Sequence, residues 1–195
     1  MTHGGRVIAI TGGIGSGKSV VSRVLVEMGY PVYDCDSRAR DIMDNDCGIK
    51  QSIADNIGGE CIVNGEIDRS HLSRIVFNDG VLLSRLNEIV HSAVRDDLKR
   101  FIESVGSYPC FVETAILYQS GIDLMVDEVW EVTAPVDVRI ERVAIRNGLS
   151  EREIRARIDS QDSYVPLRKH TDVKIIVNDN FTAVLPQINR LLTSA

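Results

Sequence analysis

The sequence predicts an α/β fold in which a five-stranded parallel sheet lies between two layers of helices. Five short apolar segments have the character of buried strands: Val7–Thr11, Val32–Asp34, Cys110–Glu113, Glu128–Thr133 and Val173–Val177. They are rich in Val and Ile and lack strict alternation of apolar and polar residues, which is typical of parallel strands covered on both faces. Helical patterns lie between them, and this alternation predicts a doubly wound core.

Length and composition agree with this fold class. A chain of 195 residues with 44% hydrophobic and 26% charged residues suits one folded domain with room for insertions. The 22 basic and 28 acidic side chains give a net charge of −6, which argues against a general nucleic-acid binder. A small anionic ligand held by a local basic cluster is still compatible with that charge. No segment approaches the 18 apolar residues of a membrane span, so we expect no membrane association.

The cysteines favour a reducing compartment. Four thiols stand far apart, without a C-x-x-C pair or a histidine at zinc-binding spacing, at Cys35, Cys47, Cys61 and Cys110. The apolar run that starts at Val7 is too short for a secretion signal. We therefore expect a cytoplasmic protein with reduced cysteines.

The first strand leads into the most specific motif of the chain. The run Gly12-Gly13-Ile14-Gly15-Ser16-Gly17-Lys18-Ser19 matches G-x-x-x-x-G-K-[ST], the P-loop that binds nucleotide phosphates. Glycines let the backbone N–H groups turn inward, and the N-terminus of the following helix, expected up to Met28, adds positive charge. We expect Lys18 at the β- and γ-phosphates and the Ser19 hydroxyl on Mg²⁺. The full set of expected nucleotide contacts is Gly13, Ile14, Gly15, Ser16, Gly17, Lys18, Ser19 and Val20. A glycine-rich turn with a surface lysine is the alternative.

Two carboxylates close the second strand. Asp34 and Asp36 come where ligands bind in open α/β sheets, beyond the carboxyl ends of the strands. A carboxylate there can orient an acceptor hydroxyl and accept its proton, and strand alternation predicts that both face one site. Alternatively, Asp36 caps a helix that starts at Ser37. These residues alone leave both interpretations open.

The second strand is followed by an insertion. Residues from about 41 to 105 are predicted to be mostly helical, with apolar side chains on one face at Leu82, Leu86, Ile89, Val90 and Val94. After the third strand, Glu113 stands where a carboxylate can hold a Mg²⁺-bound water. Pairing with a basic neighbour is the alternative for this residue.

Residues 137–165 are predicted to be helical and rich in arginine. Between residues 139 and 169 there are eight basic and five acidic side chains. Arg139, Arg142 and Arg146 share one helix face and can close over transferring phosphates, although a solvated face is the simpler alternative. Ser150 and Glu153 form a capping-box pattern that starts a second helix. A last helix is expected over Phe181–Leu192.

The order of these features resembles the dephospho-coenzyme A kinase family along almost the whole chain. The resemblance is carried by Thr11–Ser19, by Asp34 and Asp36 followed by Arg40, by Phe77, Leu86 and Ile89–His91, by Glu113–Leu117, by Arg142, Arg146 and Gln161, and by Asp172 and Asn178. The chain departs from the family pattern at Val20, Ser70, Ser92, Ala115, Tyr118 and Gln119. None of these departures touches Lys18 or the two aspartates.

The resemblance implies a P-loop kinase-like three-layer sandwich. Its nucleotide-binding core would comprise residues 1–40, 106–138 and 166–195, with a substrate-binding insertion over 41–105 and a small lid over 139–165. It would transfer the ATP γ-phosphoryl group to the 3′-hydroxyl of the dephospho-CoA ribose, with Mg²⁺, as a monomer or small homo-oligomer.

The resemblance also implies roles for particular residues. Asp36 would accept the hydroxyl proton, and Asp34 would assist at metal-bound water or in orienting the substrate. Arg142 and Arg146 would close over the phosphates. Expected contacts to the acceptor are Asp34, Arg40, Arg69, His91 and Leu117, and expected metal contacts are Ser19, Asp34 and, through water, Glu113.

Other functions remain compatible with the same motifs. Another P-loop small-molecule or nucleoside monophosphate kinase would share the phosphate loop and the lid, and the insertion would select its acceptor. A P-loop switch is disfavoured because the sequence has no N-K-x-D motif for guanine. A nucleotide-binding regulator without chemistry is a third alternative.

Overall fold

A computed structural model describes residues 5–162 and 173–193, and the chain divides into two compact units. The first unit comprises Met1–Asp34 with Ile102–Ala195, and the second comprises Cys35–Phe101. The sequence bounds of the second unit differ by a few residues from those predicted for the insertion, 41–105. Residue Asp172, the lid residues 163–165 and part of the predicted third core segment lie outside the described residues.

The first unit contains a five-stranded parallel sheet in the order β2-β5-β1-β6-β7. Its strands are β1 (Val7–Thr11), β2 (Val32–Asp34), β5 (Cys110–Glu113), β6 (Glu128–Thr133) and β7 (Val173–Val177). These bounds agree with the predicted strands, so the predicted fold class is confirmed. Strand β1 is central and buried along its whole length, as its unbroken apolar pattern predicts.

The described residues of the first unit contain four complete α-helices, of which the first and the last build a common core with the sheet. The four helices are α1 (Lys18–Glu27), α6 (Val136–Asn147), α7 (Glu151–Asp162) and α8 (Val184–Thr193). One cluster joins the sheet to α1 and α8, with Phe111 and Trp130 at its centre; its buried members are Ile8, Ile10, Val21, Leu25, Phe111, Trp130, Val132, Ile176 and Ile188. This core holds β1 and α1 rigidly on either side of the loop that joins them.

The second unit is mostly helical, as predicted, but it also contains a hairpin that the periodicity did not indicate. Its helices are α2 (Cys35–Asn45), α3 (Cys47–Asn56), α4 (Arg69–Phe77) and α5 (Gly80–Val105), the last of which continues past Phe101 into the first unit. The hairpin strands are β3 (Ile62–Val63) and β4 (Glu66–Ile67). Asn64 and Gly65 form its turn with φ of 52° and 81°. Two successive positive φ angles are what a tight two-residue hairpin turn requires.

Two helices start elsewhere than predicted. Helix α2 begins at Cys35, so Asp36 lies in its first turn and the alternative that Asp36 is the capping residue is wrong. Helix α8 begins at Val184 rather than Phe181, because the Asp179 carboxylate accepts hydrogen bonds from the backbone N–H groups of Phe181 and Thr182. This turn keeps residues 179–182 out of the helix.

No helix within residues 5–162 and 173–193 is long and apolar enough to cross a membrane.

Candidate active site

The loop that joins β1 to α1, Gly12–Ser19, is called the phosphate loop below. Gly12 and Gly17 have φ of 142° and 97°, which side chains other than hydrogen rarely tolerate. A Cβ at Gly12 would overlap the Val132 carbonyl oxygen, and a Cβ at Gly17 would overlap the Asn178 amide nitrogen. The glycines of the motif are therefore required both for backbone conformation and for the close approach of neighbouring strands.

The polar groups of the phosphate loop suit an anion. The amides of Gly15 and Gly17 donate to no acceptor in the described part of the chain. Ser16 is 1% exposed, and its hydroxyl oxygen has no hydrogen-bond partner among the described residues. Because buried polar groups are normally paired, these two amides and the hydroxyl indicate a ligand that supplies several hydrogen-bond acceptors, such as a nucleoside triphosphate.

Lys18 lies over the phosphate loop. Its Nζ donates to the carbonyl oxygens of Gly12 at 2.9 Å and Gly13 at 3.4 Å. Ser19 and Val20 follow at the exposed start of α1. This arrangement places the lysine ammonium and the serine hydroxyl at the same end of the helix, as the motif predicts.

Helix α6 brings two arginines to this loop. Arg142 Nη1 donates to the carbonyl oxygens of Gly15 at 3.3 Å and Ser16 at 3.4 Å, and its Nη2 donates to the side chains of Asn178 and Asn180. Arg139 Nε donates to the Ile14 carbonyl oxygen at 2.9 Å. Arg139 lies three residues before Arg142, and the two arginines reach the loop from one helix face, as their spacing predicts.

Arg146 is placed differently. It is exposed, and its Nε donates to the side-chain oxygen of Asn147 at 2.8 Å. The structure does not bring Arg146 to the phosphate loop, so its predicted role at the phosphates stays a prediction. The capping box that starts the next helix is present, because the Ser150 N–H donates to the Glu153 carboxylate at 2.9 Å.

Two carboxylates lie side by side at the end of the sheet. Asp34 on β2 and Glu113 on β5 are register partners, and Glu113 is also the partner of Ile10 on β1, the strand that leads into the phosphate loop. Register partners in a parallel sheet project from the same face, with strands about 4.8 Å apart. This pair can hold the waters of a hydrated divalent cation, the form that Mg²⁺ prefers.

A direct metal cage would need a cluster of ligating side chains, and the position of Asp36 bears on the same site. Over residues 5–162 and 173–193, no group of three or more His, Cys, Asp or Glu side chains is arranged to bind a metal ion. Asp36 is exposed on α2, so the strand alternation that predicted it beside Asp34 does not apply. Its role therefore depends on its place in the first turn of a helix.

The candidate acceptor-binding residues are spread over several elements. Arg40 is exposed one helical turn after Asp36, on the same face of α2. Arg69 pairs with Asp44 at 2.7 Å near the surface. Leu117 follows β5 and is 1% exposed, which is typical of a packing residue. Their roles in substrate binding stay predictions.

His91 on α5 predicts a pH dependence of stability. Partial burial lowers the pKa of His91, the charge of Arg95 lowers it further, and Glu88 opposes both effects. The unfolded chain then binds more protons than the folded chain below about pH 6.5. We expect the free energy of unfolding to fall as the pH drops from 7 through the folded-state pKa. Urea unfolding at pH 5 and pH 7 checks this, and His91→Gln should make the difference between the two pH values smaller; an unchanged difference would contradict the assignment.

A parallel sheet whose central strand runs into a phosphate loop, with arginines of a neighbouring helix on that loop, defines a P-loop kinase. The dephospho-CoA kinase family model matches residues 6–183, which is most of the chain. The chain therefore belongs to the dephospho-CoA kinase family.

Individual relatives agree with this assignment. The chain is 38% identical over 185 residues to the dephospho-CoA kinase of Porphyromonas gingivalis, covering 95% of this chain and 92% of that protein. It is 34% identical over 191 residues to the dephospho-CoA kinase of Carboxydothermus hydrogenoformans, covering 96% and 91%. Among solved structures, TT1252 from Thermus thermophilus superposes with a TM-score of 0.78 at 32% identity, covering 99% of this chain and 96% of that one.

Proposed function

We propose that this protein transfers the γ-phosphoryl group of ATP to the 3′-hydroxyl of the dephospho-CoA ribose, giving CoA and ADP. The observation that carries this proposal is the phosphate loop, in a chain related to dephospho-CoA kinases over most of its length. In that loop the Gly15 and Gly17 amides and the buried Ser16 hydroxyl have no hydrogen-bond partner among the described residues. Kinases of this family use ATP, and the loop provides the donors that a triphosphate needs.

On the nucleotide side, we assign the triphosphate to the phosphate loop. The amides of Gly15 and Gly17 and the ammonium of Lys18 hold the phosphates, with Gly13, Ile14, Ser16 and Ser19 completing the loop around them and Val20 bordering them at the start of α1. The predicted phosphate contact of the Ile14 amide is not kept, because that N–H donates to Gln161, and the Ser16 N–H donates to the Gly13 carbonyl oxygen. The Ser19 hydroxyl would bind Mg²⁺, and Asp34 and Glu113 would hold its waters. When bound, Mg²⁺ neutralises part of the phosphate charge.

On the acceptor side, Asp36 orients the ribose hydroxyl and accepts its proton. The reaction breaks the bond between the γ-phosphorus and the bridging oxygen, and ADP leaves with that oxygen. Arg142 and Arg146 neutralise charge on the transferring group. Arg40, Arg69, His91 and Leu117 contact the acceptor, and Asp34 helps to orient it. Closure of the lid excludes water that would otherwise hydrolyse ATP.

The cellular setting is part of the same proposal. The four cysteines are free thiols, which supports a reducing compartment and hence the cytoplasm. The net charge of −6 supports a small-molecule substrate rather than nucleic acid. The proposal includes that the protein acts as a monomer or a small homo-oligomer.

The direct test is ADP release by the purified protein with Mg²⁺-ATP and a panel of acceptors. The panel contains dephospho-CoA, nucleoside monophosphates and no acceptor, and the phosphorylated product is identified by mass. We expect turnover with dephospho-CoA alone, with CoA as the product. Turnover only with another acceptor would contradict the substrate assignment but keep the kinase chemistry.

A further inference from the structure

One residue of the phosphate loop, Ile14, is held from outside the loop at three points. Its N–H donates to the side-chain oxygen Oε1 of Gln161 on α7 at 2.7 Å. Its carbonyl oxygen accepts from Nε of Arg139 on α6 at 2.9 Å. Its side chain packs into a cluster formed by these two helices, whose buried members are Val143, Ile154 and Ile158. Both peptide groups and the side chain of Ile14 are thus occupied by the α6–α7 pair.

The neighbouring loop amides behave differently. Gly15 and Gly17 donate to nothing in the described residues, whereas the Ile14 amide is committed to Gln161. The Ile14 side chain points into the α6–α7 cluster rather than toward solvent, and the residue is half-buried. The loop therefore has an outer anchor at Ile14 and an inner set of donors that remain available to phosphate oxygens.

We propose that Gln161 is a positioning residue for ATP binding, acting through the Ile14 N–H while Arg139 holds the Ile14 carbonyl oxygen. The proposal rests on the proposed function, because it assumes that ATP occupies the phosphate loop. A loop fixed before the ligand arrives loses less conformational freedom on binding, and preorganised donors stabilise developing charge without reorganisation. Gln161 sets the shape of the loop and contacts no substrate atom.

If Gln161 competed with ATP instead of positioning the loop, removing its side chain would change the ATP affinity in the opposite direction. If Gln161 Oε1 occupied the place of a phosphate oxygen, ATP would have to displace it, and removing the side chain would tighten ATP binding. If Gln161 positions the loop, removing its acceptor oxygen loosens the loop and weakens ATP binding. The direction of the change in affinity therefore separates the two roles.

The experiment compares ATP binding by calorimetry in the wild-type protein, Gln161→Met, Arg139→Met and the double variant. Met keeps the length of the Gln side chain and removes its acceptor. We expect Gln161→Met to weaken ATP binding roughly 3- to 10-fold, the range that one hydrogen bond provides. Because both side chains act on the two peptide groups of one residue, the double variant should lose less than the product of the two single losses. Arg157→Met, on an exposed position of the same helix, is the matched control and should bind ATP like the wild type.

A second readout does not depend on ATP. Hydrogen exchange of the Ile14 amide, followed by NMR, should speed up in Gln161→Met and remain slow in Arg157→Met. A general loss of α7 stability would speed up exchange along the helix instead. Should Gln161→Met fail to fold, Gln161→Asn, whose amide is one methylene shorter, gives the same comparison.

Unchanged or tighter ATP binding in the Gln161 variant would overturn the proposal while leaving the kinase function intact. Absence of ATP binding in the wild-type protein would overturn the proposed function itself.

Discussion

Asp36→Asn is expected to lower kcat roughly 10²- to 10⁴-fold, the usual effect of removing a positioned proton acceptor. The substitution keeps the size and the planar shape of the side chain but removes its negative charge. The ribose hydroxyl then loses the group that orients it and takes its proton as the new bond to phosphorus forms. ATP affinity should remain within about threefold of the wild type, because the donors of the phosphate loop are unchanged.

The position of Asp36 makes this effect separable from a structural one. It is exposed in the first turn of α2, where the helix dipole favours a negative charge, so the amide costs at most about 1 kcal/mol of stability. Asp41→Asn, on the same helix and also exposed, is the matched control; its carboxylate contacts Arg38 at 3.6 Å near the surface.

The measurement is a steady-state determination of kcat and KM for ATP and dephospho-CoA, with thermal unfolding of all three proteins. A near-normal kcat in Asp36→Asn would remove this residue from the reaction. A kcat equally low in Asp41→Asn would assign the loss to α2 as a whole rather than to the Asp36 carboxylate.

The sheet and the phosphate loop could be predicted from local sequence. Buried parallel strands such as Val7–Thr11 are short apolar runs bounded by polar or glycine residues, and each carries its own signal. The phosphate loop was predictable because backbone geometry fixes which of its positions must be glycine, and the observed φ angles of Gly12 and Gly17 bear out this requirement.

Shorter or less regular elements were missed. The strands β3 and β4 have two residues each, too few for a recognisable alternation, although Asn64-Gly65 is a strong hairpin signal. The start of α8 was misplaced because the apolar spacing includes Phe181, while the side chain of Asp179 holds that residue in a turn. Local hydrogen bonding there overrides the apolar spacing.

The contacts that shape the loop could not be predicted from any local pattern. Gln161 and Arg139 meet Ile14 across 147 and 125 residues of chain. The position of each residue on its helix is equally compatible with a solvated surface, and only the packing of α6 and α7 against Ile14 decides between the two. The resemblance to the kinase family included Gln161 but gave no partner for it.

Lys18→Ala is expected to lower kcat/KM for ATP at least 10²-fold, with both a higher KM and a lower kcat. The Lys18 ammonium is hydrogen-bonded to the carbonyl oxygens of Gly12 and Gly13 in the phosphate loop. When a triphosphate enters, the same group can turn to the β- and γ-phosphates, where negative charge shifts as the phosphoryl group leaves. An alanine supplies neither the ground-state charge nor the charge in the transition state.

Two comparisons isolate this effect. Lys99→Ala removes one positive charge from an exposed position of α5, and it should leave kcat and KM unchanged if only net charge differs. Lys18→Arg keeps the charge, but its planar guanidinium cannot replace a compact ammonium over a loop of glycines. We therefore expect its kcat/KM to lie between those of Lys18→Ala and the wild type. Steady-state kinetics of the three variants decide the assignment. Wild-type kcat/KM in Lys18→Ala would mean that phosphate is bound elsewhere, because a P-loop without its lysine lacks the cation that this reaction needs at the leaving group.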